Sequence, residues 1–197
     1  MRKGMFGKLA VQNIRNNRST YVPYMLTCIF CIAMMYMMEF LRDCPTLEKA
    51  VPQAAEGRMI VGTGEVVVGI FCVIFLIYSN SFLAKRRKKE FGLFQILGME
   101  KKHLAKILFF ESLYLWAASL GIGILLGVLL YRLLFLVLMK LTGLNGTIGF
   151  AFSAKAVGST MLLFGLTFVI NFLLSLRQIH VSQPVELLHG GAQGERE

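Results

Sequence analysis

Residues 60–89 read IVGTGEVVVGIFCVIFLIYSNSFLAKRRKK. Their first 25 residues hold one charged side chain and are followed directly by a run of five cations. An α-helix needs about 20 predominantly apolar residues to cross the ~30 Å hydrocarbon core of a bilayer. The core of a soluble domain would not accept five adjacent cations next to that helix. The stretch therefore predicts a membrane-spanning helix over residues 60–84 that ends at a lipid–water interface.

Three further apolar blocks have the same character, at residues 21–41, 107–139 and 154–176. Only 16% of the 197 residues are charged, against about 25% in soluble domains. A soluble protein of this length has too little interior to bury four such helices completely. We therefore predict the all-α class, as a multi-pass membrane protein with four transmembrane helices.

The positions of the cations predict how the four spans are oriented. Residues 1–20 carry five bases and no acid, and the connection 85–106 carries eight bases. The loop 42–59 balances three bases with three acids, and residues 141–153 contain no base. Because positively charged loops remain cytoplasmic, we expect both termini and residues 85–106 inside the cell membrane. The net charge of +10 then reflects topology, and nucleic acid is not an expected partner.

The N-terminal 20 residues predict an amphipathic helix at the cytoplasmic interface. Apolar side chains recur among the five cations close to helical spacing, at Met5, Phe6, Leu9, Val11 and Ile14. Such a helix lies with its apolar side at the acyl boundary and its cations toward anionic head groups. Membrane lipids are therefore expected partners.

The residues after the five cations predict a short helix just beneath the membrane. They read EFGLFQILG, residues 90–98, and the apolar run ends at Gly98. Two roles fit: an interfacial helix between spans two and three, or a docking element whose apolar side chains enter a groove on a soluble partner. The residues assigned to it are Glu90, Phe91, Gly92, Leu93, Phe94, Ile96, Leu97 and Gly98.

Small and amide side chains inside the spans predict helix packing. Ser119, Gly123 and Gly127 recur every four residues, a spacing that lets two helices approach closely, within the chain or across a dimer. Asn80 and Asn171 are expected to hydrogen-bond between helices.

No pattern in the sequence predicts an enzyme, a metal site or a cofactor. Cys28, Cys31 and Cys72 lie inside predicted spans, and Cys44 lies in the loop 42–59, on the opposite side from the three histidines. No Ser/His/Asp group or carboxylate pair is visible, and no G-x-x-x-x-G-K-[ST] phosphate loop occurs. We expect no catalytic, cofactor-binding or metal-binding residues.

One motif resembles the permease domain of the FtsX-like ABC transporter family. It is RRKKEFGLFQILGMEKKHLAKILFFES, residues 86–112. The family pattern has a basic stretch, a Glu-aliphatic-Gly group, an aliphatic-Gly pair, a basic helix, and a Glu that opens the next span. Glu90, Gly92, Leu97–Gly98 and Glu111 occupy these places.

A second motif, RQIHVSQPVELLHG at residues 177–190, is similar to the tail of that family's permease domain. Its Pro-aliphatic-Glu-x-Leu pattern falls on Pro184, Val185, Glu186 and Leu188. The resemblance covers about residues 62–189. It divides the chain into the N-terminal helix 1–20, the first span 21–41, the extracytoplasmic loop 42–59, a permease domain 60–190 and a polar tail 191–197.

The short loop 42–59 is similar to that of bacitracin-resistance (Bce-type) permeases, whereas macrolide-exporter and lipoprotein-release members carry a large domain there. The resemblance implies the N-terminal part of a peptide-antibiotic resistance permease: a fragment, the product of a truncated gene, or a half-size protein. It also implies that a separate cytoplasmic ABC ATP-binding subunit hydrolyses ATP and receives residues 90–98 as the coupling helix. A second permease half, or a homodimer, would complete the transporter.

Two other functions stay open. The chain could be a membrane sensor or adaptor that relays antibiotic detection to a sensor histidine kinase without transport. It could also be a non-functional permease fragment. Co-purification of a kinase without an ATPase would favour the first of these.

Overall fold

The computed structural model describes residues 4–43, 54–96, 101–142 and 153–181. Nearly all of them lie in five α-helices, and these ranges contain no β-strand. The helices are α1 Gly4–Asn16, α2 Arg18–Arg42, α3 Ala54–Ile96, α4 Lys101–Thr142 and α5 Ala154–Val181. The predicted all-α class is therefore confirmed.

Four of the helices, α2 to α5, are long and apolar enough to cross a membrane. The candidate spans are Arg18–Arg42, Glu56–Arg87, Lys102–Val137 and Ala154–Arg177. The four predicted spans are thus confirmed, with bounds that differ from the sequence-based ones by up to five residues. The helices extend into flanking cations because Lys and Arg can lay their aliphatic stems along apolar surface and keep their charge in water.

Helix α3 is a single helix of 43 residues. The sequence led us to expect a span that stops at the cations, followed by a separate short helix over residues 90–98. Instead, α3 continues through KRRKKEFGLFQI, residues 85–96, which corrects that expectation. Lys, Arg, Glu, Leu and Gln are strong helix formers, and the single internal glycine, Gly92, costs only about 1 kcal/mol. Leu97 and Gly98 lie outside the described residues, as do the 184–188 motif, the tail 191–197 and Cys44.

The chain divides into two compact units. The described residues of unit 1 are 4–25, 76–96, 101–117 and 167–181, and those of unit 2 are 26–43, 54–75, 118–142 and 153–166. Each unit has its own apolar core. The buried core residues include Tyr21, Leu83, Leu115, Leu104 and Leu108 in unit 1, and Tyr36, Met37, Phe40, Tyr131, Phe135 and Ala156 in unit 2.

Helix α1 packs on the rest of unit 1. A Cβ atom built on Gly7 would lie 3.3 Å from the Tyr114 hydroxyl of α4. Ile14 contacts the cluster formed by Tyr21, Leu83 and Leu115. The N-terminal helix is therefore held by protein contacts. Its position at the membrane interface stays a prediction.

In unit 2, α4 packs closely against α2 at Gly123 and Gly127. A Cβ atom on Gly123 would lie 2.7 Å from Ile32 Cγ2, and one on Gly127 would lie 2.9 Å from Tyr36 Cδ1. Real Cβ atoms do not approach so closely. Only glycine fits both places, and small residues are the usual means by which helices approach closely in membranes.

Candidate functional site

The carboxylate of Glu111, on α4, is the centre of a buried polar cluster in unit 1. Glu111 is 0% exposed. Its Oε1 accepts a hydrogen bond from Asn13 Nδ2 of α1 at 2.7 Å. Its Oε2 accepts from the Tyr21 hydroxyl of α2 at 3.2 Å and from the guanidinium of Arg87 on α3. One carboxylate thus receives donors from three other helices.

Arg87 is the cation of this cluster. It is only 4% exposed, whereas its neighbours Lys85 and Arg86 are exposed. The guanidinium forms an ion pair with Glu111 and lies over the Tyr21 ring, 5.3 Å from its centroid. A buried charge is tolerated only when it is paired and hydrogen-bonded. Arg87 therefore belongs to the protein interior, although the sequence groups it with the cations that end the span.

A second polar group lies two helical turns earlier on α3. Asn80 Nδ2 donates to the main-chain carbonyl of Asn171 and to the hydroxyl of Ser175, both on α5 and both at 3.2 Å. Asn80, Ser175, Arg87 and Ser112 all contribute to the lining of one cavity of about 20 Å³. Through these contacts α5 joins the polar interior of unit 1.

The segment predicted to dock a partner begins directly after this cluster. The backbone of residues 90–96 is helical and continuous with Arg87. Less than one helical turn separates Arg87 from Glu90. The docking role of the segment stays a prediction. Of the residues predicted to pack helices, Ser119 is buried in unit 2, and Asn171 is buried in unit 1, where its main-chain carbonyl accepts from Asn80.

A different polar group occupies unit 2. Glu39, on α2, is buried, and its carboxylate accepts hydrogen bonds from the hydroxyls of Ser159 and Thr160 on α5, the latter at 3.0 Å. Hydroxyl donors satisfy a carboxylate that would otherwise be costly within a membrane span. This group links α2 to α5.

Charged side chains near the end of α2 pair with one another in unit 2. Arg42 Nη1 lies 2.6 Å from Glu65 Oε2, and Lys155 Nζ lies 2.9 Å from Asp43 Oδ2. The hydrogen bond from Lys155 holds the pKa of Asp43 below its ordinary value. In the part of the chain that the structure describes, no group of three or more His, Cys, Asp or Glu side chains could hold a metal ion.

Comparison with known proteins identifies the family. The model of the family described as FtsX-like permease C-terminal matches residues 65–183, more than half of the chain. The chain belongs to the FtsX-like permease family. The match covers most of α3 and the whole of α4 and α5. The resemblance seen in the sequence is thereby confirmed.

Individual relatives match almost the whole of this FtsX-like permease. It is 32% identical over 178 residues to the bacitracin export permease protein BceB of Halalkalibacterium halodurans. The alignment covers 88% of this chain and 27% of that protein. It is 30% identical over 181 residues to the uncharacterized ABC transporter permease YvcS of Bacillus subtilis. That alignment covers 91% of this chain and 28% of YvcS. BceB of Bacillus subtilis is 29% identical to this chain over 157 residues. That alignment covers 80% of this chain and 24% of the Bacillus subtilis protein. The chain spans about a quarter of the length of these relatives.

Sequence reasoning located Glu111 but not its partner. It assigned Glu111 to the opening of a span and Arg87 to a solvated run of cations. The signal that could have joined them is the cost of a lone carboxylate in an apolar block, which favours a cation or another hydrogen-bond donor on a neighbouring helix. Five adjacent cations were candidates, and only the rotation of α3 selects Arg87.

Proposed function

We propose that this chain is a transmembrane permease subunit, or the N-terminal part of one, of an ABC transporter of the peptide-antibiotic resistance type. The observation that carries the proposal is the family match over residues 65–183. Two relatives that match most of the chain are named bacitracin export permeases. A separate cytoplasmic ABC ATP-binding subunit would hydrolyse ATP. A second permease half or a second copy of the chain would complete the transporter.

We place the ATPase contact on residues 90–98. The continuity of α3 supports this choice, because the candidate span Glu56–Arg87 and the residues up to Ile96 form one helix with no intervening loop. Helices that dock in grooves use apolar anchors three or four residues apart. Phe91 and Phe94 are three residues apart, and Leu93 and Leu97 are four residues apart. Movement of the docked segment would pass directly into the span.

Phe94→Glu and Leu97→Glu are each expected to reduce co-purification of the ATP-binding subunit at least tenfold. Each change removes an apolar anchor and places a charge against the partner, and truncation of a binding hot spot costs about 2 kcal/mol or more. The measurement is the amount of ATPase recovered with the tagged full chain from co-expressing membranes.

Gln95→Glu is the matched control for this experiment. It adds the same charge to the same segment without removing an apolar side chain, and we expect near-normal recovery of the ATPase. Unchanged recovery with both Phe94→Glu and Leu97→Glu would exclude the docking role. If the native chain instead retains a sensor histidine kinase and no ATPase, the relay function that the sequence left open is favoured.

We also propose that both termini and residues 85–106 are cytoplasmic, because cations concentrate in residues 1–20 and 85–106 and four spans return the chain to the same side. In intact cells a membrane-impermeant maleimide is expected to label the native thiol of Cys44. In a Cys44→Ser background, Lys88→Cys is expected to react only after permeabilisation. The other native cysteines, Cys28, Cys31 and Cys72, are buried and provide the unlabelled background. Labelling of the Lys88→Cys thiol from outside would reverse the topology.

A further inference from the structure

The rotation of α3 at its basic end is fixed by one side chain. Lys85 and Arg86 are exposed, while the next residue, Arg87, is buried against Glu111. Turning α3 about its axis would withdraw Arg87 and leave the carboxylate charged in an apolar interior. Such a state is strongly disfavoured. The direction in which the following residues leave unit 1 therefore depends on the Arg87–Glu111 pair.

The same carboxylate also holds α1. Asn13 donates to Oε1 while Arg87 donates to Oε2, so both helices are bound at once. A second contact fixes α1 on α4, where Gly7 lies close to the Tyr114 hydroxyl. The N-terminal helix and the basic end of α3 thus share one attachment point.

We propose that Glu111 is a positioning residue for ATP coupling, holding the basic end of α3 and the N-terminal helix α1 in one fixed arrangement on α4. This inference rests on the proposed docking of an ATPase at residues 90–98. When the ATPase displaces that segment, α1, α3 and α4 would move together through the Glu111 carboxylate. In a variant that lacks the Glu111 carboxylate, residues 90–98 would move and α1 would keep its position.

A purely stabilising role explains the arrangement less well. Buried ion pairs contribute little net stability compared with apolar residues of the same size. What the pair and its two extra donors supply is geometry, because each hydrogen bond is directional. Three donors from three helices meet on one carboxylate, which defines the distance and rotation of each helix relative to α4.

The test measures the distance between α1 and the end of α3 by pulsed electron paramagnetic resonance. Spin labels are attached through Val11→Cys, an exposed position of α1, and Lys85→Cys, in a chain whose four native cysteines are replaced by alanine. The full chain is studied in phosphatidylglycerol-containing nanodiscs, alone and with its ATPase. The complex is measured without nucleotide and with Mg²⁺ and a non-hydrolysable ATP analogue.

With Glu111 intact, we expect a narrow distance distribution that changes by less than about 2 Å on nucleotide binding, the scale of shifts inside packed helix interfaces. In Glu111→Gln the distribution should broaden, and its mean should shift with nucleotide by more than about 2 Å. With Glu111 intact, Arg87→Lys retains the cation and should keep the narrow distribution, whereas Arg87→Gln should broaden it. Glu39→Gln, which removes the buried carboxylate of unit 2, should behave like the native chain.

If the distance distribution between positions 11 and 85 in Glu111→Gln, with the ATPase bound, equals that of the native chain, the positioning role is overturned. A narrow distribution in Arg87→Gln, equal to that in Arg87→Lys, would also overturn it, since the charge of residue 87 would then not matter. Failure of the ATPase to bind the native chain would overturn the docking proposal instead. In that case the distributions of the chain alone still decide whether Glu111 positions α3 against α1.

Discussion

Arg87→Met is expected to lower the free energy of unfolding by about 3–5 kcal/mol, because it leaves the Glu111 carboxylate buried without its cation. The remaining donors, Asn13 and Tyr21, are neutral and do not replace a full charge. The change should appear as a large fall in the midpoint of thermal unfolding, measured by fluorescence-detected size-exclusion chromatography in detergent.

A second substitution tests the physical cause. Arg87→Met combined with Glu111→Gln removes the orphaned charge and keeps an acceptor for Asn13, so the double variant should be more stable than Arg87→Met alone. Strict additivity of the two effects would show that the side chains do not interact. Arg86→Met is the control: this exposed cation lies over the Phe82 ring at 4.8 Å, and its loss should cost less than about 1 kcal/mol.

Gly123→Ala is expected to destabilise unit 2 by about 1–3 kcal/mol through overpacking. The new methyl group would meet Ile32 Cγ2 at 2.7 Å and the main-chain oxygen of Ile29 at 3.1 Å. A main-chain atom cannot move aside as a flexible side chain can, so α2 and α4 must separate. The unfolding midpoint in detergent should fall accordingly.

Gly121→Ala provides the matched control two residues away on the same helix. Among the residues that the structure describes, a Cβ atom on Gly121 would meet nothing within 4 Å outside its immediate helical surroundings. Here alanine should stabilise the helix by up to about 1 kcal/mol. Equal falls in the unfolding midpoint for Gly121→Ala and Gly123→Ala would contradict the close approach of α4 to α2.

The four spans could be predicted from sequence because a membrane imposes a simple requirement on length and composition. The Ile60–Ala84 block is long and apolar enough to cross the hydrocarbon core, and its position within α3 follows from hydropathy alone. The FtsX-like resemblance could be recognised for a similar reason, because its motif at residues 86–112 is local in sequence.

The arrangement inside the units could not be predicted in the same way. Whether α3 stops at Ala84 or runs on to Ile96 depends on a balance between apolar burial and helix propensity that composition does not resolve. The choice of Arg87 over its charged neighbours depends on helix rotation. Asn13 is 98 positions away from the Glu111 carboxylate that it contacts, and no periodicity connects the two.

The uninterrupted length of α3 has a mechanical consequence. At about 1.5 Å per residue, its 43 residues amount to roughly 65 Å of helix, about twice the hydrocarbon thickness of a bilayer. No loop separates the helical residues 85–96 from the apolar residues that precede them. A force on residues 90–96 would therefore reach the preceding apolar residues through helical backbone, and a proline inserted after Arg86 would interrupt that connection.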